Sequence, residues 1–209
     1  MKHILVAGAH GTTGQIVVQL LKASKDYVPI AMVRSEEQVR FFEAQGVKTV
    51  LADLEKDVSD STEKMDKVIF AAGSGGKKVV EVDQEGAKKL VDASKKAGVK
   101  KFVMLSSIGA GHPEKANQLQ EYLKAKHNAD EYLKKNDIDY TIIRPGTLNN
   151  DSGTGKIKLA EELESRGEVT REDVAQVLVN VLDSKVAKKA IFEFVNGEVP
   201  IEKALEKVS

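Results

Sequence analysis

Apolar and polar positions alternate along this chain in blocks of two kinds. Ile4-Leu5-Val6-Ala7 is a short apolar run, long enough for one buried strand and too short for a helix. Behind it Ile16, Val17, Leu20 and Leu21 fall at i, i+1, i+4 and i+5, the spacing of a helix with one apolar face. The pair of signals then repeats. Further strands are predicted over 27–33, 47–51, 67–72, 101–105 and 140–143. Helices are predicted from Ser35 to about Gln45, from about Asp83 to Ala97 and from about Glu114 to Asn136. Ser35 and Gln38 have capping-box spacing, and Gly46 and Gly98 stand where the second and third helices should stop. The polar stretch Glu55 to Asp66 reads as a short helix or loop.

Six strands in alternation with helices predict an α/β fold, because each parallel step needs a crossover and the crossovers cover both faces of the sheet. After 143 the alternation loosens. Asn149 to Gly155 is a polar, Gly-rich loop, and 156–159 has the length of a short strand. Thr170 to Asp173 resembles a capping box, with Val174, Val177, Leu178 and Val181 on one face of the helix behind it. A last strand is expected at 190–195 and a short amphipathic helix at 201–208. No repeat or linker interrupts the chain, so residues 1–209 are expected to form one domain, with about 147–170 left to cover a substrate.

Composition narrows the chemistry. The 209 residues carry no formal net charge, which gives no reason to expect nucleic-acid or membrane partners. There is no cysteine, which excludes disulfides, thiolate metal sites and a cysteine nucleophile, and fits a cytoplasmic setting. His3, His10, His112 and His127 are scattered, so no metal site is expected. No signal-peptide pattern and no run of membrane-spanning length is visible.

The first strand ends in Gly8-Ala9-His10-Gly11-Thr12-Thr13-Gly14 and feeds directly into a helix. Glycines at every third position let the chain turn sharply, bring helix close to strand and let a ligand reach the backbone. The helix N-terminus adds unpaired N–H groups and a partial positive charge, which suit a pyrophosphate. In that context the architecture becomes a Rossmann-type, doubly wound, three-layer sheet, with its ligand at the carboxyl ends of the strands at the switch point. Two other Gly-Lys stretches, 73–78 and 153–156, lack the G-x-x-x-x-G-K-[ST] pattern and are not phosphate loops.

Arg34 stands at the end of the second strand, where an NAD-specific protein usually has a carboxylate for the ribose 2′-OH. A guanidinium there grips a 2′-phosphate through two hydrogen bonds, so Arg34 and Ser35 point to NADP, with NAD left open by Glu36 and Glu37 nearby. On the helix predicted from Glu114, Tyr122 and Lys126 stand at i and i+4, on a face shared with Leu119, Ala129 and Leu133. Lys126 thus occupies a position where the pattern asks for an apolar side chain.

The G-x-x-G-x-x-G spacing resembles the short-chain dehydrogenase/reductase superfamily, and nearly the whole chain is similar to its atypical single-domain members, the NAD-dependent epimerase/dehydratase-like and NADPH-flavin reductase-like proteins. The resemblance is carried by Gly8 to Gly14, Val33-Arg34, Ala52-Asp53-Leu54, Ala71-Ala72-Gly73, Asp83 to Gly86, Ser106-Ser107, Tyr140 to Gly146 and Thr170 to Val174. It implies that Asp53 and Leu54 hold the adenine, although Asp53 also suits the capping of the next turn. It implies that Ala71, Ala72 and Gly73 lie against the ribose and pyrophosphate, and that Pro145 and Gly146 pass beside the nicotinamide. It gives Ser107 (or Ser106) the orientation of a carbonyl and Tyr122 the proton, while Lys126 holds the nicotinamide ribose and lowers the tyrosine pKa.

The function expected is therefore an NADP(H)-binding oxidoreductase acting on a small carbonyl, flavin or quinone. Two alternatives remain, a non-catalytic sensor of the NADP redox state and an isomerase or dehydratase that keeps its own NAD. The lysine-rich outer faces of the helices (Lys88, Lys89, Lys95, Lys96, Lys124, Lys134, Lys135) suggest a monomer.

Overall fold

The computed structural model describes residues 1–208. Strands β1 (Lys2–Ala7), β2 (Tyr27–Val33), β3 (Lys48–Leu51), β4 (Lys67–Phe70), β5 (Lys101–Leu105) and β6 (Tyr140–Pro145) follow the predicted runs. Later strands are β7 (Thr147–Asn149), β8 (Lys156–Ala160), β9 (Glu168–Thr170), β10 (Ala190–Asn196) and β11 (Val199–Pro200). The helices are α1 (Thr12–Ala23), α2 (Glu36–Glu43), α3 (Ala87–Lys96), α4 (Gln120–Lys134), α5 (Arg171–Asn180) and α6 (Ile201–Leu205).

The main sheet runs β11-β8-β10-β6-β5-β4-β1-β2-β3, and every neighbouring pair from β10 to β3 is parallel. The chain leaves β1 toward β2 and β3 on one side, then returns to place β4, β5 and β6 on the other. The reversal between β1 and β4 is the switch point. This is the doubly wound α/β fold the alternation predicts.

Two cores lie on opposite faces of the sheet. Val17, Val18 and Leu21 of α1 and Val174, Val177 and Leu178 of α5 pack with Ile4, Val6, Ile143, Phe192 and Phe194. Leu90 and Val91 of α3 and Ala129 and Leu133 of α4 pack with Leu5, Phe70, Met104 and Ile142. Strand residues go alternately to the two cores, as a pleated strand requires.

Three departures from the sequence pattern matter for the site. The third helix opens early, as a π-helical turn over Val79–Gly86 that runs into α3. This wider turn aims Asp83 inward, where its carboxylate accepts from the Ser74 N–H at 3.0 Å. Second, α4 starts at Gln120 rather than near Glu114. Pro113–Lys115 forms one 3-10 turn, and Leu119, expected on the buried face, has φ 58° and is 71% exposed. Third, part of the segment assigned to substrate cover joins the sheet, since β8 pairs antiparallel with β10. The rest forms the small β7–β9 pair and the loop 161–167.

Ser35 and Thr170 cap α2 and α5 as their spacing predicts, accepting from the N–H groups of Gln38 (3.4 Å) and Asp173 (3.0 Å). The Gln38 side chain turns back to accept from the N–H of Arg34 at 3.0 Å, one residue beyond the N-cap N–H of the usual box. No helix among the described residues is long and apolar enough to cross a membrane.

Candidate active site at the carboxyl edge of the sheet

The glycine turn has little freedom to be anything else. Gly8 has φ 81°, and a methyl group built on it would lie 2.5 Å from the N and Cα of Ala72. On Gly14 a methyl would meet the Gly8 carbonyl oxygen at 2.1 Å. The β1–α1 turn thus lies directly on Ala71-Ala72, and Ala71 donates its N–H to Ala7 at 2.9 Å. Gly11 occupies the N-cap of α1 without a side-chain cap, and the first turn carries no acid. The free N–H groups of that first turn, with their partial positive charge, form an anion cradle at the switch point. His10 and Thr12 are exposed on it, and Thr13 is buried behind it.

Beside the cradle, the residues predicted for the nucleotide differ in how free they are. Arg34 is exposed at the end of β2, and its guanidinium makes no hydrogen bond or ion pair among the described residues. The His10 ring stands edge-on to Phe41 at 5.2 Å, which fixes the turn against α2. Asp53 caps the following turn by accepting from the Glu55 N–H at 3.0 Å, and Leu54 packs closely against Gly86. Gly73 is exposed, with its Cα face toward Asp83 Oδ1.

The other end of the cleft is built around α4. Tyr122 is half-buried, and the Lys126 ammonium lies 5.6 Å from its ring centroid. Lys126 is only 3% exposed, 3.2 Å from Asp83 Oδ1 and 3.3 Å from the Leu105 carbonyl oxygen. Burial works against its charge, but Tyr122, Asp83 and Asp130 outweigh it and hold the ammonium above its ordinary range. So the lysine does not reach out to solvent. It is an internal cation that ties α4 to the π turn and to the end of β5.

Below it lies a network the sequence reading missed. Asp130, fully buried one turn on from Lys126, accepts from Ser106 Oγ at 2.8 Å and from Arg144 Nε and Nη2 at 3.1 and 3.0 Å, all on Oδ2. Burial raises the Asp130 carboxyl above its usual range despite the arginine. The signal was present in the chain: an aspartate at i+4 from Lys126 on the apolar face of α4, and one arginine inside an apolar strand. Because Ser106 is held by Asp130, the hydroxyl left near the cleft is that of half-buried Ser107, which among the described residues makes one long bond of 3.4 Å to Ile108 O.

The turn after β6 is fixed by protein contacts. Pro145 O accepts from the Ile108 N–H at 2.9 Å, which locks Ser107 beside it. A methyl on Gly146 would lie 2.2 Å from Gly167 O, so this glycine admits the covering loop rather than open space. Glu193 Oε2 accepts from the Leu163 N–H at 2.9 Å and Oε1 from the Gly109 N–H at 3.3 Å, strapping the two loops at the cleft together. The N–H groups of the rejected 153–155 loop are filled from within, by Glu172 and Asp173 carboxylates at 2.7 to 3.0 Å. Among the described residues no cluster of His, Asp and Glu could hold a metal ion.

A family model described as NAD(P)H-binding matches residues 8–185. The sugar epimerase YhfK of Bacillus subtilis, uncharacterized in its activity, is 40% identical over 98% of this chain and 99% of its own. A Bacillus halodurans structure, provisionally assigned to the NAD-dependent epimerases/dehydratases, superposes with TM-score 0.94 at 37% identity, covering 99% of this chain and 100% of that one. The oxidoreductase ylbE of Lactococcus lactis superposes with TM-score 0.90 at 35% identity, over 99% of this chain and 96% of its own. The uncapped helix start, the glycines pressed onto Ala72 and these matches agree, and the chain belongs to the NAD(P)H-binding family of atypical short-chain dehydrogenase/reductase-like proteins.

Proposed function

We propose that this protein is an NADPH-dependent oxidoreductase that reduces a small carbonyl, flavin or quinone. The observation that carries this reading is Tyr122, half-buried beside the charged Lys126, with the Ser107 hydroxyl in a long bond of 3.4 Å to Ile108 O, at the same sheet edge as the anion cradle. The name of the Lactococcus lactis relative, an oxidoreductase, supports it.

The residues fit the dinucleotide. The uncapped α1 terminus takes the pyrophosphate, and the free Arg34 guanidinium favours a 2′-phosphate. When bound, the nicotinamide supplies the hydride. The chain's own groups do the rest. Ser107 Oγ donates to a substrate carbonyl oxygen and orients it. Tyr122 then gives its phenolic proton to that oxygen, and the Lys126 charge stabilises the negative charge left on the phenolate. Asp83 and the Leu105 carbonyl keep the ammonium in place while this happens. The Glu193 strap holds loops 109 and 163 closed over the reacting centre and limits water.

A Tyr122→Phe variant tests the proposal with two acceptors. Carbonyl reduction should fall by roughly two orders of magnitude or more. Flavin reduction, which needs no proton from this residue, should hardly change. Full carbonyl turnover by the variant would remove Tyr122 from the mechanism.

One observation favours a second reading, a protein that senses the NADP redox state without turnover. Lys126 already has Asp83 and the Leu105 carbonyl as partners, which leaves one of its three N–H donors for a nicotinamide ribose. Calorimetry with NADP and NADPH beside an acceptor screen decides between them. Tight binding of both with no hydride transfer to any acceptor would favour the sensor.

A further inference from the structure

The helix layer on the α4 side of the sheet ends before the sheet does. α5 and α6 lie on the other face, over Phe192 and Phe194 of β10. Ile191 and Glu193 point the opposite way, Ile191 to the margin of the core under α3 and α4 and Glu193 to the loops at Gly109 and Leu163. An open groove of about 750 Å³ lies between the last turns of α4, the start of β10, the 159–161 segment and Lys207-Val208. Its size is that of a small-molecule site.

The groove is basic. Lys188 and Lys207 line it and make no ion pair among the described residues, while Lys189 has a contact of 4.0 Å with Asp137. Of the two acids in its wall, Glu131 is paired with Lys134 at 2.6 Å, and Glu161 has no ion pair among the described residues. At one end lies Arg144, 9% exposed. Nε and Nη2 of that guanidinium are given to Asp130, but Nη1 has no hydrogen-bond partner among the described residues. Gly111 borders it, and a methyl group on Gly111 would lie 2.9 Å from Nη1. A glycine thus keeps open the end of the groove where an almost buried guanidinium presents an unused donor.

Nη1 opens into the groove, and a guanidinium edge matches an oxyanion. We propose that this groove binds a small molecule with two or more acid groups, one on Arg144 Nη1 and another among Lys188, Lys189 and Lys207. The site is separate from the glycine cradle, and its existence does not depend on turnover at Tyr122.

The test is an NMR titration of the ¹⁵N-labelled full chain at constant ionic strength. Citrate is the probe in one arm and inorganic pyrophosphate in the other. Saturable shifts at the amides of Gly111 and Lys188 to Ile191, and at the Arg144 Nε–H, are the expected result. The arm that binds more tightly tells a polycarboxylate from a phosphorylated ligand. Lys188→Glu combined with Lys207→Glu should weaken binding by roughly tenfold or more. Gly111→Ala should do the same while leaving the spectrum otherwise dispersed. Arg144→Ala is avoided because it would leave Asp130 buried without its arginine. Shifts confined to Gly8 to Gly14, shifts that sodium chloride reproduces, or affinity unchanged in both variants would each overturn the proposal.

Discussion

Lys126 Nζ lies 3.2 Å from Asp83 Oδ1, and neither side chain reaches solvent by more than a few per cent. The pair joins α4 to the π turn that opens the third helix, and the other Asp83 oxygen holds the Ser74 N–H. Candidate proton donor and candidate nucleotide loop are therefore linked through one ion pair.

Breaking a buried pair from one side strands a charge. Asp83→Asn should cost about 3 kcal/mol of stability, measured by urea unfolding. The double variant Asp83→Asn with Lys126→Met removes both charges and should recover most of that loss. If Asp83→Asn unfolds at the wild-type midpoint, the pair does not hold these elements together.

Arg34 is exposed and uncommitted at the end of β2, with Glu36 and Glu37 in the next turn. Arg34→Ala should weaken NADPH binding by roughly tenfold to a hundredfold, the worth of a charge-assisted contact, and leave NADH nearly unchanged. Fluorescence titration of both reduced cofactors reads this directly. Equal affinity of the unaltered protein for NADPH and NADH would defeat the assignment of the 2′-phosphate to Arg34.

The glycines of the first turn should not be equivalent. Gly14→Ala places a methyl 2.1 Å from the Gly8 carbonyl and must displace backbone, so a loss of about 3 kcal/mol is expected. Gly11→Ala meets the same oxygen at 3.3 Å from an extended N-cap position, and should cost only about 1 kcal/mol. Thermal melts of the two variants rank them, and an inverted order would contradict the packing at the turn.

Much of this was legible in the chain. Six apolar runs gave the parallel strands because a strand buried on both faces must be apolar along its length. Ser35 and Thr170 marked helix starts through side-chain chemistry that acts locally. The glycine turn marked the cradle for the same reason. What stayed hidden was set by distant partners. The inward turn of Asp83 depends on Ser74 and Lys126, and the buried state of Asp130 depends on Arg144 and Ser106. Leu119 followed the helical period in sequence, but the 3-10 turn at Pro113 and a left-handed backbone at Leu119 itself delayed the helix. The strand at 156–159 was legible, but its antiparallel place beside β10 was not, because that partner comes later in the chain.

Away from the cleft, the sheet rests on two buried lysines at the starts of β4 and β5. Lys67 donates to Leu182 O, and Lys101 donates to Asp183 O and Val186 O, so together they satisfy carbonyls just beyond α5. Burial pushes the Lys101 amine down to about 8, from an ordinary value of 10.5. The folded value lies below the unfolded one. Native protein therefore releases this proton first, and stability rises with pH between about 8 and 10.5, then levels. The neutral amine retains two donors, enough for both carbonyls. Unfolding free energy of the wild type relative to Lys101→Met should accordingly increase by about 2 kcal/mol from pH 7.5 to pH 10. The comparison cancels groups that titrate alike in both proteins. Stability curves that run parallel across this range would show that Lys101 keeps an ordinary pKa in the fold.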